Sequence, residues 1–271
     1  MEQNNKIIVT LFGGLGNQMF QYAFGRHISN LTNRKLILDT FQLERRDREE
    51  NFIYRNYDLD IFNLTNVEIV NGFSEPAEVI VEPWDDVHRV NNFLLTKTIT
   101  SKAKNLRIEG YWASPKYFNT IDFDFKDKVK DNKLLNDIRD SESVMLNIRR
   151  ADFIDNEYLG LIGRDYIEKG LSRLADINTK CFIFSDDIDW CRENIGDLGY
   201  IVDHSYKGYK FSNYLQLMSN CKYFIIPNST FAWWAAYISK SKKAVYYPDN
   251  WIKNPKSEIV DIFPKDWIRI K

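Results

Sequence analysis

Hydrophobic positions along this chain alternate between two periods. Lys6 to Phe12 (KIIVTLF) is an apolar, β-branched run of strand length, and it meets Gly13-Gly14-Leu15-Gly16 before a stretch from Asn17 to Leu31 in which apolar residues return at helical spacing. Met19, Phe20, Ala23, Phe24, Ile28 and Leu31 make one side of that helix a core face, and His27 among them reads as a packed residue. Leu36 to Leu38 supplies a second strand and closes an opening strand–helix–strand unit. Glu44 to Asn51 (ERRDREEN) is too polar to pack and reads as a solvated surface loop. Between Asn66 and Thr100 the pattern is mixed, with Ala77 to Val81 alternating like a strand, and Lys126 to Asp140, rich in Lys and Asp, reads as a connecting region.

Past the connector the alternation resumes. Val144 to Ile148, Lys180 to Phe184, Tyr200 to Val202, Lys222 to Ile226 and Ala244 to Tyr247 read as strands. Tyr166 to Leu174, Asp187 to Asn194, Asn213 to Ser219 and Thr230 to Ile238 read as helices between them. Strands alternating with helices predict α/β architecture with parallel, doubly wound sheets. Two such runs, with a connector near Asp131 to Asp140, predict two Rossmann-like domains facing a cleft, residues 1–138 and 139–271, with the final helix or tail packing back on the first domain.

Composition narrows the function classes. With 37 basic and 38 acidic residues the net charge is -1, so no overall field draws the protein to nucleic acid or to an anionic membrane, and any phosphate must be met locally. Apolar runs such as Phe231 to Ile238 fall far short of the roughly 20 residues of a membrane-spanning helix, which predicts at most peripheral membrane contact. Three cysteines without CxxC spacing, and a start without a signal peptide, fit a reduced cytoplasm.

Four strand-to-helix junctions carry candidate chemistry. Gly13-Gly14-Leu15-Gly16-Asn17-Gln18 is neither the GxGxxG dinucleotide fingerprint nor a P-loop, yet its glycines permit either a tight packing turn or close approach of a ligand. Val144 to Phe153 (VMLNIRRADF) puts Arg149 and Arg150 directly after an apolar strand, where two always-charged planar forks suit a diphosphate, with Asp152 able to orient one of them. Cys181 to Asp187 (CFIFSDD) ends a strand in two carboxylates, which either hold Mg²⁺ against a diphosphate or accept hydrogen bonds from a nucleoside. Asp186 is the one expected to face the ligand, Asp187 a helix-start charge, and Asp189 is turned away from Asp187 by the helix. Tyr223 to Tyr237 (YFIIPNSTFAWWAAY) brings Ser229 and Thr230 to a helix start, where capping and phosphate cradling use the same N–H groups, while Trp233, Trp234 and Tyr237 fall at core spacing.

Taken together, GGLGNQMFQYA (Gly13 to Ala23), GYWASPKYF (Gly110 to Phe118), RRAD (Arg149 to Asp152), FSDDIDWC (Phe184 to Cys191) and NSTFAWWAAY (Asn228 to Tyr237) make the chain resemble glycosyltransferase family 11, the bacterial α-1,2-fucosyltransferases, over nearly its whole length. The resemblance implies a GT-B fold, GDP-fucose as donor and co-substrate, inversion at the anomeric carbon, no metal and no separate cofactor. It implies that Arg149 contacts the β-phosphate, that Arg150 and Asp152 hold its loop, that Asp186 with Ser185 meets the guanine or ribose, and that Ser229, Thr230 and Phe231 line the phosphates and fucose. Gly14, Gly16 and Asn147 complete the implied donor set; Gln18 and Trp112 are the implied acceptor contacts, the acceptor being an oligosaccharide or glycolipid with terminal galactose. Asn17 falls on the asparagine that related enzymes bring to the reacting sugar. Where the family motif has His, this chain has Asn147, which cannot titrate near neutral pH, so that position is no catalytic base here. Asn17 is able to orient the acceptor hydroxyl, and Glu157, five residues beyond Asp152, is the remaining base candidate. A Rossmann oxidoreductase would need the dinucleotide fingerprint that is lacking, and a non-catalytic sugar-binding protein would bind glycan without releasing GDP.

Overall fold

The computed structural model describes residues 5–46, 54–84, 89–119, 121–154, 156, 160–249, 251–252 and 261–271. The chain divides into two compact units, Met1–Asp124 with Ile259–Pro264, and Phe125–Glu258 with Lys265–Lys271. In the first unit β1 (Lys6–Thr10), α1 (Leu15–Thr32), β2 (Lys35–Asp39), α2 (Phe41–Glu44), β3 (Val67–Val70), β4 (Glu78–Val81), α3 (Asn92–Thr100) and β5 (Asn105–Glu109) follow in chain order. Among the described residues its strands pair in parallel in the order β3-β2-β1-β5-β4. Ile7, Ile8 and Val9 of the central strand and Met19, Phe20 and Phe24 of α1 are all fully buried, so the apolar period read in the sequence is the contact between helix and sheet. Asn33 ends α1 in the left-handed region, φ 53°, its N–H returning to the Ser29 carbonyl.

Asp39 fastens the far edge of this sheet. Its buried carboxylate accepts from the amides of Phe41 at 3.1 Å, Gly72 at 2.9 Å and Phe73 at 3.1 Å, and pairs with Arg107 on β5 at 2.9 Å. Burial alone would push this carboxyl up; the three amides and the guanidinium more than offset that and hold it below the usual carboxylate range.

The second unit runs α4 (Lys133–Asp140), β6 (Glu142–Ile148), α5 (Arg164–Ser172), β7 (Thr179–Ser185), α6 (Ile188–Ile195), β8 (Tyr200–Ile201), α7 (Ser212–Ser219), β9 (Tyr223–Ile225), α8 (Thr230–Ile238), β10 (Ala244–Pro248) and β11 (Ile268–Ile270). Its strands, again parallel, stand in the order β11-β10-β9-β6-β7-β8. Trp233 and Trp234 on α8 are fully buried, and Trp233 stacks on Tyr237 with ring centres 4.6 Å apart, so these aromatics are core as their spacing predicted. The three cysteines are buried free thiols, and burial pushes Cys181 up to about 12. Among the described residues no helix is long and apolar enough to cross a membrane.

The α/β class with two parallel sheets is as expected, but several elements differ. Lys133–Asp140, read as connector, is a helix: Asn132 caps it by accepting from Leu135 N at 2.9 Å, and Leu134, Leu135 and Ile138 are buried under its charged face. A boundary at 138 would cut this helix, and the two units instead divide at Asp124 and Phe125. Asp261 belongs with the first unit, where its carboxylate accepts from Val90 N at 2.9 Å, and the chain then returns to the second unit as β11. β3, α3, β5 and β11 have short or polar-interrupted patterns and were not legible as elements. Of the charged stretch expected to be a loop, 47–51 lie outside the described residues.

α1 lies so close to the sheet that a Cβ at Gly25 would stand 2.3 Å from Val9 Cγ2 and 3.1 Å from Leu36 Cδ1. Helix propensity favours Ala over Gly by about 1 kcal/mol, whereas overpacking against a stiff valine costs about 1–3 kcal/mol. Gly25→Ala is therefore expected to lower the melting temperature by several degrees; an equal or higher melting temperature would contradict the close packing.

Candidate active site

Strand order locates the candidate site before any side chain does. In the second sheet the chain order runs outward in both directions from the β6–β9 neighbours, and open parallel sheets bind ligands beyond the strand ends at such a reversal. The loop leaving β6 begins Arg149-Arg150, and the chain leaving β9 passes Pro227 and Asn228 to Ser229, the N-cap of α8. Both loops stand at that reversal, with the end of β7 on the other flank of β6.

Carboxylates brace both arginines. Arg149 pairs with Asp186 at 2.8 Å and with Asp152, three residues along its own loop. Arg150 donates from Nε to Asp187 at 3.1 Å and lies over the Trp190 ring, 4.1 Å from its centre. Asp186 also accepts from the amides of Arg150 at 2.9 Å and Ala151 at 3.2 Å, so a side chain at the end of β7 shapes the backbone after β6. Asp187 caps α6, accepting from Trp190 N at 3.1 Å, as its helix-start position predicted. Asp189 pairs instead with Arg192 at 2.7 Å on the exposed face. Ser185 Oγ accepts from Asp187 N at 2.9 Å, and Asn147, buried on β6, donates to the Phe184 carbonyl at 3.0 Å. Ser229 Oγ accepts from Ala232 N at 3.4 Å; Thr230 and Phe231 are half-buried on the first turn of α8, the end at which a helix offers N–H groups to an anion. Two planar cations and a helix start at one strand reversal can hold a diphosphate and stabilise charge growing on it.

In the first sheet the reversal falls between β1 and β5. Gly13 has φ 77°, and a Cβ there would meet Asn17 Nδ2 at 2.6 Å, so the turn requires glycine. Gly14 caps α1 with open space where its Cβ would be, Gly16 is buried, and Asn17 is half-buried, its amide donating to the Gly14 carbonyl at 3.0 Å.

Two expected ligand contacts, Gln18 and Trp112, turn out to be structural. Gln18 is fully buried, donating to the Gly13 and Asn56 carbonyls at 2.9 and 2.8 Å and accepting from Asp58 N at 2.9 Å; it clips the 56–58 loop to the turn and cannot meet an acceptor. Trp112 is also fully buried, packed against Phe24 and Tyr117 with centroids 4.5 and 5.4 Å away, so it is core and not a sugar contact. Asp186 accepts from Arg149, Arg150 and Ala151, which makes it a brace of the arginine loop. Glu157 lies outside the described residues. The hold of Asp187 and Trp190 on Arg150 went unread, although both stand in the FSDDIDWC run that follows the strand.

Fold and site together define a glycosyltransferase. The chain belongs to glycosyl transferase family 11, whose model matches residues 88–271. It is 29% identical to the Escherichia coli alpha-1,2-colitosyltransferase over 98% of this chain and 99% of that one, and 28% identical to the E. coli O-antigen biosynthesis glycosyltransferase WbnK over 92% and 96%. The mouse galactoside alpha-(1,2)-fucosyltransferase 2 is 24% identical over 88% of this chain and 71% of that protein. In structure the chain resembles the NodZ alpha-1,6-fucosyltransferase, with a TM-score of 0.52 at 13% identity, covering 86% of this chain and 92% of that one, a likeness of fold.

If Asp186 shapes the arginine loop, Asp186→Asn is expected to speed hydrogen exchange at the Arg150 and Ala151 amides while strand β6 stays protected. Unchanged exchange at those two amides would contradict the bracing role.

Proposed function

We propose that the chain is an inverting, metal-independent α-1,2-fucosyltransferase that moves L-fucose from GDP-β-L-fucose to the 2-hydroxyl of a galactose-type residue in an oligosaccharide or glycolipid. The observation that carries the reading is the pair of braced arginines beside the α8 start at the strand reversal of the second sheet. In this account an acceptor hydroxyl attacks the anomeric carbon from the face opposite GDP, and charge builds on the β-phosphate as the bond breaks. Arg149 uses one N–H on Asp186 and one on Asp152, and a guanidinium carries five, so its fork keeps donors for the phosphate. Arg150, held by Asp187 and stacked on Trp190, ties the loop to the start of α6. Ser229, Thr230 and Phe231 face the phosphates and sugar from the helix start, and Asn17 orients the acceptor hydroxyl. Asn147 and Ser185 support the loop from beneath, and Gly14 leaves room above the first turn. A cytoplasmic enzyme acting at most at the membrane surface fits this reading. The colitosyltransferase relative favours one alternative, a colitosyl group in place of fucosyl on the same site.

The decisive assay follows GDP release and product linkage with GDP-fucose across a panel of galactosides. An α-1,2-linked product is expected; another linkage, or binding of glycan without GDP release, would overturn the proposal.

Two further outcomes follow from the arginine site. Activity should persist in EDTA, because arginines and amides occupy the carboxylates of the SDD segment; complete loss restored by Mg²⁺ or Mn²⁺ would contradict this. Arg149→Ala should lower kcat about a hundredfold to a thousandfold, roughly 3–4 kcal/mol, with a smaller effect on GDP-fucose affinity. Arg149→Lys should restore little, since an ammonium lacks the planar fork. Near-normal turnover of folded Arg149→Ala would remove this residue from the mechanism.

A further inference from the structure

We propose that Phe211, the residue from which α7 starts, is the stacking surface for the nucleobase of the donor, so that the 203–214 segment and the α8 start hold the two ends of one nucleotide. The assignment rests on the donor reading proposed above, and every residue it uses belongs to the second unit.

Topology brings the two helix starts together. α7 follows β8 and α8 follows β9, and since all these strands are parallel, both helices begin at the carboxyl end of the sheet, where the arginine loop also stands. α7 packs along α8, and packed helix axes lie about 8–10 Å apart. A diphosphate at the α8 start therefore has the α7 start one helix width away, a gap that the ribose and base of a nucleotide span. A hydrogen bond ties the segment to the same strand ends: His204 donates from Nε2 to the Ser185 carbonyl at 2.9 Å, one residue before the Asp186 that braces Arg149.

The segment holds its aromatic ring in a costly conformation. Lys210 has φ 46° and Phe211 φ 62°, two successive left-handed residues neither of which is glycine, and bulky side chains are outliers there. Gly208, φ 67°, completes the turn, and a Cβ on it would stand 2.5 Å from Asn213 Cγ. Hydrogen bonds keep the chain in this shape. The amides of Asn213 and Tyr214 both donate to the Lys207 carbonyl, at 3.2 and 3.3 Å, and Ser205 N donates to Asp203 at 2.9 Å. The Tyr214 hydroxyl donates to the Val202 carbonyl at 2.6 Å. Backbone strain that its surroundings enforce gathers at ligand sites.

What the strain presents is an aromatic surface beside a cation. Phe211 stands edge-on to His204 and Tyr214, with centroids 6.3 and 5.8 Å away, and is still 39% exposed. The Lys207 ammonium lies 5.6 Å from its ring centre. A planar base stacks on such a ring whatever its hydrogen-bonding edge, and the neighbouring ammonium suits a ligand that carries phosphates.

The test titrates the full chain with GDP, and with pyrophosphate as a competitor that has the phosphates and no base, for wild type, Phe211→Ala and Phe211→Trp. Phe211→Ala is expected to weaken GDP roughly fivefold to a hundredfold, the range of one lost base–aromatic stack, while pyrophosphate competes as it does against wild type. Phe211→Trp should keep GDP affinity, and GDP should quench the fluorescence of the introduced indole beyond any change in wild type. Melting temperatures identify the folded variants; if Phe211→Ala does not fold, Phe211→Leu gives the same comparison. Wild-type binding of GDP with unchanged affinity in Phe211→Ala overturns the stacking assignment alone, as does a loss that is equal for GDP and pyrophosphate. A wild type that does not bind GDP overturns the donor reading and the assignment with it.

Discussion

Asp186 reaches from the end of β7 to the loop that leaves β6, and the geometry of both arginines depends on that reach. Its carboxylate holds the backbone amides of Arg150 and Ala151 and the guanidinium of Arg149 at once. A doublet of arginines on an unsupported loop would repel itself and sample many conformations. With Asp152 and Asp187 completing the set, three carboxylates meet two guanidinium groups, so the cluster is fixed before any anion arrives. Pre-positioning of this kind is what lets a charged group act on a transition state without reorganising. It also means that an incoming diphosphate meets a cluster in which three carboxylates outnumber two guanidinium groups by one charge, and must be recognised by the N–H donors that remain and by the α8 start.

The two sheets use one construction. Each is parallel, each has a point where strand order reverses, and at each point a loop directly after a central strand carries the distinctive residues: the glycine turn after β1 and the arginine pair after β6. Their chemistry differs, a glycine turn at one and cations with helix amides at the other.

Much of this was legible from the chain. The strand–helix alternation after Glu142, the arginines behind an apolar strand, the capping role of Asp187 and the core role of Trp233 and Trp234 all follow from local pattern, because the neighbours that decide them are close in sequence. What was missed depends on distant partners. Gln18 and Trp112 look like ligand residues until the 56–58 carbonyls and Phe24 are seen to occupy them. The bracing role of Asp186 was missed because the amides it binds lie some 35 residues earlier in the chain. β5 was overlooked since Asn105, Arg107 and Glu109 make one of its faces polar in a run of only five residues, and Arg107 is tolerated there because Asp39, Thr10 and the Phe73 carbonyl receive it.

The central claim is that the braced arginines and the α8 start receive the diphosphate of the donor. A crystal structure with GDP bound tests it most directly. The account predicts β-phosphate oxygens within about 3 Å of Arg149 and of first-turn amides of α8, with the Asp186 contacts to Arg150 and Ala151 intact. A diphosphate seated instead on the Gly13 to Gly16 turn, with Arg149 still paired only to Asp152 and Asp186, would contradict it.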